Sequence, residues 1–186
     1  MNELKIYYPF KPFLVTQNWG NPNPAYQKFG FGAHNGIDCR PNEQKTYPVF
    51  CPVADFKVHM IRNFPEGGGN EVWLLSKNKL KLFEQECYAY IVLAHAEKIL
   101  VPVGYEPDLG ELIMIGDNTG FSTGPHTHFG LYRVDYNGMG IAWVDKNDAN
   151  GSFAPNLFFT HEYAVDKATV SALIKSGFRY YSYLLG

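Results

Sequence analysis

The stretch STGPHTHFGLYRVDY, Ser122–Tyr136, sets a Ser/Gly/Pro turn ahead of an alternating run of aromatic and β-branched residues. That pattern predicts a strand over HTHFGLYRVDY. On a strand, residues two apart point to one face with Cα atoms about 6.6 Å apart. His126 and His128 therefore converge on one small site. The pair alone reads three ways: two ligands of one metal, a ligand beside a catalytic base, or two polar residues on a strand.

Working outward, most of the chain reads as further strands. Phe13–Thr16 is a strand candidate followed by a loop rich in Pro, Asn and Gly. YPVFCPVADFKVHMIRN gives two β-rich runs broken at Pro52 and Asp55, and PEGGGNEVWLLSKN gives a hairpin turning at Gly67–Gly69. No helix with a Lys-Ser/Thr pair follows those glycines, so they form a turn and not a phosphate cradle. CYAYIVLAHA is another strand, and VPVGYEPDLGELIMIGDNTGFSTG alternates turns with short apolar pieces. Only near the end does a helix emerge, with Asp166 as N-cap of KATVSALIKSG, an apolar face of Val170, Leu173 and Ile174, and Gly177 as its stop. The expected fold is mainly β: an antiparallel, sandwich-like sheet with a groove and a short C-terminal helix. A single domain over residues 1–186 is expected, with a motif-bearing core over about 13–136 and a 137–186 extension packed on it.

Bulk composition narrows the function classes. Charged residues are 18% and hydrophobic ones 46%, which suits a folded core and not a disordered chain. A net charge of -2 offers no basic footprint for nucleic acid. Cys39, Cys51 and Cys87 are too few and scattered for a disulfide framework, and an odd count suits reduced thiols. The first residues, MNELKIYYPFKPF, show no apolar run of signal-peptide length, and no window reaches the length of a transmembrane span. Oligomeric state is not legible from the sequence.

A second cluster, GAHNGIDCRP, holds His34 and Asp38. Four extended residues would part their Cα atoms by about 13 Å, so the chain must bend between them, and Gly36 is suited to the bend. Three protein ligands with a water in fourth place is the arrangement of a catalytic zinc. His34, Asp38 and one of the histidine pair supply three, leaving the other histidine as a general base. His95, in the apolar run YIVLAHAEKI, needs a polar partner there and is a further candidate. His59 and His161 match no such pattern and read as ordinary strand or loop residues. The Asn150 sequon carries no weight without an export signal.

The order AHNGID, then IVLAHAEKI, then GDNTGFSTGPHTHFGLY resembles the lysostaphin-type (LytM-like) zinc endopeptidases that cut peptidoglycan peptides. The resemblance covers about Phe13 to Tyr136. It implies that His34, Asp38 and His128 ligate one zinc ion per chain, and that His126 and His95 are the non-ligand catalytic histidines. It also implies peptidoglycan stem peptides or cross-bridges as substrate and action at the bacterial cell wall. Delivery there would be by lysis, by a virion in a phage-type enzyme, or by another route. Other members of this fold are non-catalytic modules that bind the wall or activate an amidase; they typically lack some of these five residues. Thr127 stands where the family often has Leu and is expected to point away from the site. Cys39, beside a ligand, is expected to face away from the metal, and Asp117 replaces a Ser before NTG.

Overall fold

The computed structural model describes residues 3–42, 45–147 and 149–165. Thirteen strands follow one another along the chain: β1 (Ile6–Tyr8), β2 (Leu14–Gln17), β3 (Ile37–Arg40), β4 (Tyr47–Phe50), β5 (Phe56–Phe64), β6 (Gly69–Ser76), β7 (Leu80–Leu82), β8 (Gln85–Ile99), β9 (Leu112–Gly116), β10 (Thr127–Tyr136), β11 (Ile141–Trp143), β12 (Ser152–Phe153) and β13 (Phe159–Tyr163). Two short 3-10 segments, Pro24–Phe29 and Pro155–Phe158, are the only helical pieces among the described residues. No described helix is long and apolar enough to cross a membrane. The helix expected after Asp166 lies outside the described residues.

An antiparallel sheet in the order β2-β3-β10-β8-β6-β5 forms the body, with β9 and β4 continuing from the far end of β8. β8, 15 residues long, is its spine. The period-2 pattern of β8 and its neighbours sends alternate residues to opposite faces. Ala89, Ile91 and Leu93, with Phe129, Leu131, Val72 and Leu74, enter the main core, where Ile37, Cys39 and Tyr47 also lie. Tyr90, Val92 and Ala94, with Trp73, Tyr132 and Val134, form a second cluster on the other face. Both clusters bury large side chains, each worth about 1.5–3 kcal/mol against exposure, so the strands are apolar on both sides and the sheet is fixed in register.

The end of the described chain returns to this body. β11 and β12 pair with β10, and β13 pairs in parallel with β1 in a separate two-stranded sheet. That parallel pairing left no mark in the sequence, because three- and five-residue strands carry little periodicity.

Candidate metal centre

The register between β3 and β10 sets His128 across from Asp38. Both point to the second-cluster face, where Ala94 of β8 also lies opposite His128. His34 reaches the same spot because the chain turns at Asn35–Gly36 before β3 begins. The expected bend at Gly36 is present, but its physical reason differs from backbone freedom, since Gly36 is absent from the positive-φ positions. Space is what it supplies: a Cβ there would lie 2.4 Å from the Phe129 carbonyl oxygen and 2.8 Å from the His128 ring.

The three donors form a nearly equilateral triangle. His34 Nε2 lies 3.0 Å from His128 Nδ1 and 3.1 Å from Asp38 Oδ1, and His128 Nδ1 lies 3.1 Å from Asp38 Oδ1. For bonds of about 2.0–2.1 Å, tetrahedral zinc asks for donors about 3.3–3.4 Å apart, so this triangle needs to open by only a few tenths of an ångström. The tautomer points the same way. His34 Nδ1 lies 3.1 Å from the Asn18 carbonyl oxygen and donates its proton there, so in the neutral ring Nε2 turns a lone pair on the Asp38 carboxylate. A cation relieves that opposition, and the residues present fit a zinc ion.

His126 and His95 border the triangle. Their rings meet at a tilt of 58° with 4.5 Å between centroids, and the His95 ring is 6.2 Å from that of His128. Each is anchored as His34 is: His126 Nδ1 donates to the Gly124 carbonyl at 2.8 Å and His95 Nδ1 to that of Thr119 at 2.7 Å. In the neutral rings, both Nε2 atoms keep lone pairs. His126 Nε2 comes within 3.4 Å of Asp38 Oδ1.

His95 reaches this position through a β-bulge. Between Leu93 and Ala96, β8 carries one residue more than β6, and His95 takes φ +66, a left-handed conformation uncommon for a side chain. The alternation of β8 would otherwise carry His95 into the main core. Its backbone ties the surrounding loops together. The His95 amide donates to Gly68 of the β5–β6 turn at 2.8 Å, and the His95 carbonyl accepts from Asp117 at 3.2 Å. Phe121 N–H in turn donates to the Gly67 carbonyl at 2.6 Å. The glycine turn thus holds the loop that carries Thr119 against the strand that carries His95.

Burial raises the Asp38 carboxyl, but contacts with the His126, His128 and His34 imidazoles outweigh it and hold the group well below the usual carboxylate range. Burial, helped by the neighbouring imidazoles of His126 and His128, pushes His95 down to about 3 and keeps it neutral. Burial also lowers His128. In His126 burial acts downward, yet the Asp38 carboxylate and the Gly124 carbonyl together raise it.

Aromatic side chains wall the site on the side of the 18–33 loop. Tyr26 stacks on the His34 ring at 5.7 Å, and its hydroxyl accepts a hydrogen bond from Gln17. Phe29 meets Phe121 and Phe64 edge-on, and the Lys28 ammonium sits 3.6 Å from the Phe121 ring centroid, so this loop is clasped to the glycine turn. Beyond His128, Asn35 donates to the buried Tyr132 hydroxyl at 2.7 Å.

Cys39 turns into the core and its thiol contacts the Thr127 carbonyl, while the Thr127 hydroxyl pairs with Tyr47 away from the site. His59 lies on β5 against Tyr90 and Tyr136, and His161 bonds the Tyr8 hydroxyl; neither approaches the triangle. Sequence reading missed the Asn18, Thr119 and Gly124 carbonyls, which no residue type encodes, and Tyr26, whose only signal was its place in a loop preceding His34.

No protein-family model matches the chain. An uncharacterized metalloprotease of Haemophilus influenzae is 31% identical over 135 residues, 72% of this chain and 25% of that relative's length. The chain therefore spans about a quarter of that relative. Among solved structures, a zinc-containing peptidase from Vibrio cholerae superposes with a TM-score of 0.54 at 25% identity, covering 70% of this chain and 36% of that one. The catalytic domain of the antimicrobial peptidase lysostaphin from Staphylococcus simulans gives a TM-score of 0.55 at 23% identity, covering 78% of this chain and 91% of that domain, a likeness of fold. The chain has the lysostaphin-type (LytM-like) peptidase fold, and its motif order and donor set resemble those of that metallopeptidase family.

Proposed function

We propose that the chain is a zinc-dependent endopeptidase that hydrolyses peptide bonds in peptidoglycan stem peptides or cross-bridges. His34, Asp38 and His128 hold the ion, and His126 and His95 handle protons. The observation that carries this reading is the convergence of three donor atoms within hydrogen-bond distance of one another, bordered by two imidazoles that are each anchored through Nδ1 to a backbone carbonyl. When bound, zinc lowers the pKa of water toward about 7 and polarises a carbonyl oxygen.

The chain's own groups do the remainder. His126, fixed by the Gly124 carbonyl, offers Nε2 to a proton leaving a water in the site. Asp38 stabilises the imidazolium that results. His95, fixed by the Thr119 carbonyl, offers its Nε2 to a second proton, which it passes to the departing amine. Tyr26, stacked on the His34 ring, borders the site on the side of the 18–33 loop. Support for a peptidoglycan substrate comes from the HxxxD, His and HxH motifs in that order.

Digestion of several wall types, followed by mass spectrometry of the released muropeptides, tests this reading. Cleaved peptides are expected from the zinc-loaded protein, and His126→Ala should keep about one zinc per chain while losing roughly 100-fold or more in rate. Loss of zinc in that variant would reverse the roles of the pair. Stoichiometric zinc without hydrolysis of any wall would replace the enzyme reading with a wall-binding or amidase-activating module.

A further inference from the structure

One charged side chain beside the site has no part in the chemistry above. Arg40 ends β3 two residues after Asp38, so it leaves the same face of the sheet as that carboxylate. The register Thr127↔Cys39 and His128↔Asp38, continued by one residue, sets Arg40 across from His126. Cross-strand neighbours of this kind have Cβ atoms about 4.5–5.5 Å apart. The Arg40 charge is felt at His126, where it works against protonation.

No hydrogen bond or ion pair holds the Arg40 side chain among the described residues, and its Nε is buried without a partner. Leu14, its neighbour on β2, is apolar and 43% exposed, so it brings no counter-charge. Asp117, whose carbonyl accepts the His126 amide at 3.1 Å, also has a buried carboxylate oxygen with no hydrogen-bond partner, so that oxygen does not satisfy Arg40 Nε. Among the described residues, this guanidinium lacks the anion that its Nε–H and terminal N–H grip as a fork. Leaving a buried charged donor unpaired is costly, and a carboxylate satisfies two donors together.

We propose that Arg40 is a specificity-determining residue that binds a carboxylate of the substrate on the His126 side of the site. This rests on the peptidase reading, since it presumes a peptide lying along that face. In a peptide the carboxylate is either a terminal α-carboxylate or an acidic side chain, and the guanidinium serves both.

Three probes separate these sources: N-acetyl-Gly-Gly with only an α-carboxylate, N-acetyl-Gly-Glu amide with only a side-chain carboxylate, and N-acetyl-Gly-Gly amide with neither. Binding to the zinc-loaded protein is measured by calorimetry, and the Arg40 Nε–Hε resonance is followed by NMR. One acid should bind about 10- to 100-fold more tightly than the neutral amide and shift that resonance, and the acid that does so identifies the source. Arg40→Gln should abolish the preference with zinc content and melting temperature unchanged, and Arg40→Lys should retain part of it. A preference that survives Arg40→Gln would assign the carboxylate to the metal and overturn the proposal, as would an unmoved resonance in the wild type. Because these probes read binding, a wild type that cleaves no wall would sink the hydrolase reading and leave this result standing.

Discussion

Gly36 shows how much one hydrogen atom in place of a side chain decides. A methyl group there meets the Phe129 carbonyl and the ring of His128, both held by β10. Gly36→Ala should destabilise the fold by about 1–3 kcal/mol and displace His128, so a thermal melt and a zinc assay should fall together. His95 is constrained twice, by its left-handed backbone and by its ring. Asn tolerates that conformation where a β-branched residue does not. His95→Asn should therefore keep stability within about 1 kcal/mol of wild type while His95→Val loses about 2 kcal/mol or more, as read by urea titration. The candidate donors were legible in the sequence because imidazole and carboxylate are chemically distinctive, although the choice of His128 over His126 came only from the family resemblance. Tautomers were not, since backbone carbonyls set them.

Among the elements, the strands declared themselves through alternation. HTHFGLYRVDY and CYAYIVLAHA form β10 and most of β8, and the turn at Gly67–Gly69 leads into β6. The bulge at His95 did not show, because one inserted residue changes no composition. Nor did the contact between the glycine turn and the 117–121 loop, which rests on backbone approaching backbone. A Cβ on Gly120 would lie 2.2 Å from the Gly69 nitrogen, and Gly120 itself has φ +79. Gly120→Ala should cost about 2 kcal/mol or more and free the Thr119 carbonyl from His95. Hydrogen exchange at the His95 and Phe121 amides should rise in that variant before exchange in β10 does.

Over the whole molecule, Cys39, Cys51 and Cys87 are all free thiols buried in the main core. Burial pushes Cys39 well above its ordinary value of 9.0, Cys51 up to about 12, and Cys87 upward. Unfolded, such a thiol loses its proton near pH 9; folded, it keeps it. The folded state therefore binds more protons above pH 9, and stability falls as pH rises, by about 1.4 kcal/mol per unit for a thiol like Cys51 until pH 12. Maleimide labelling at pH 8 should be slow in the native protein and reach three thiols per chain in denaturant. The triangle of donors has its own consequence in time. Its histidines stand 94 residues apart and meet only once β3, β10 and β8 are in register. Contacts of such range form late in folding. Zinc can thus reward the finished sheet but not nucleate it: stopped-flow traces should show unfolding slowed by the ion and refolding rates unchanged.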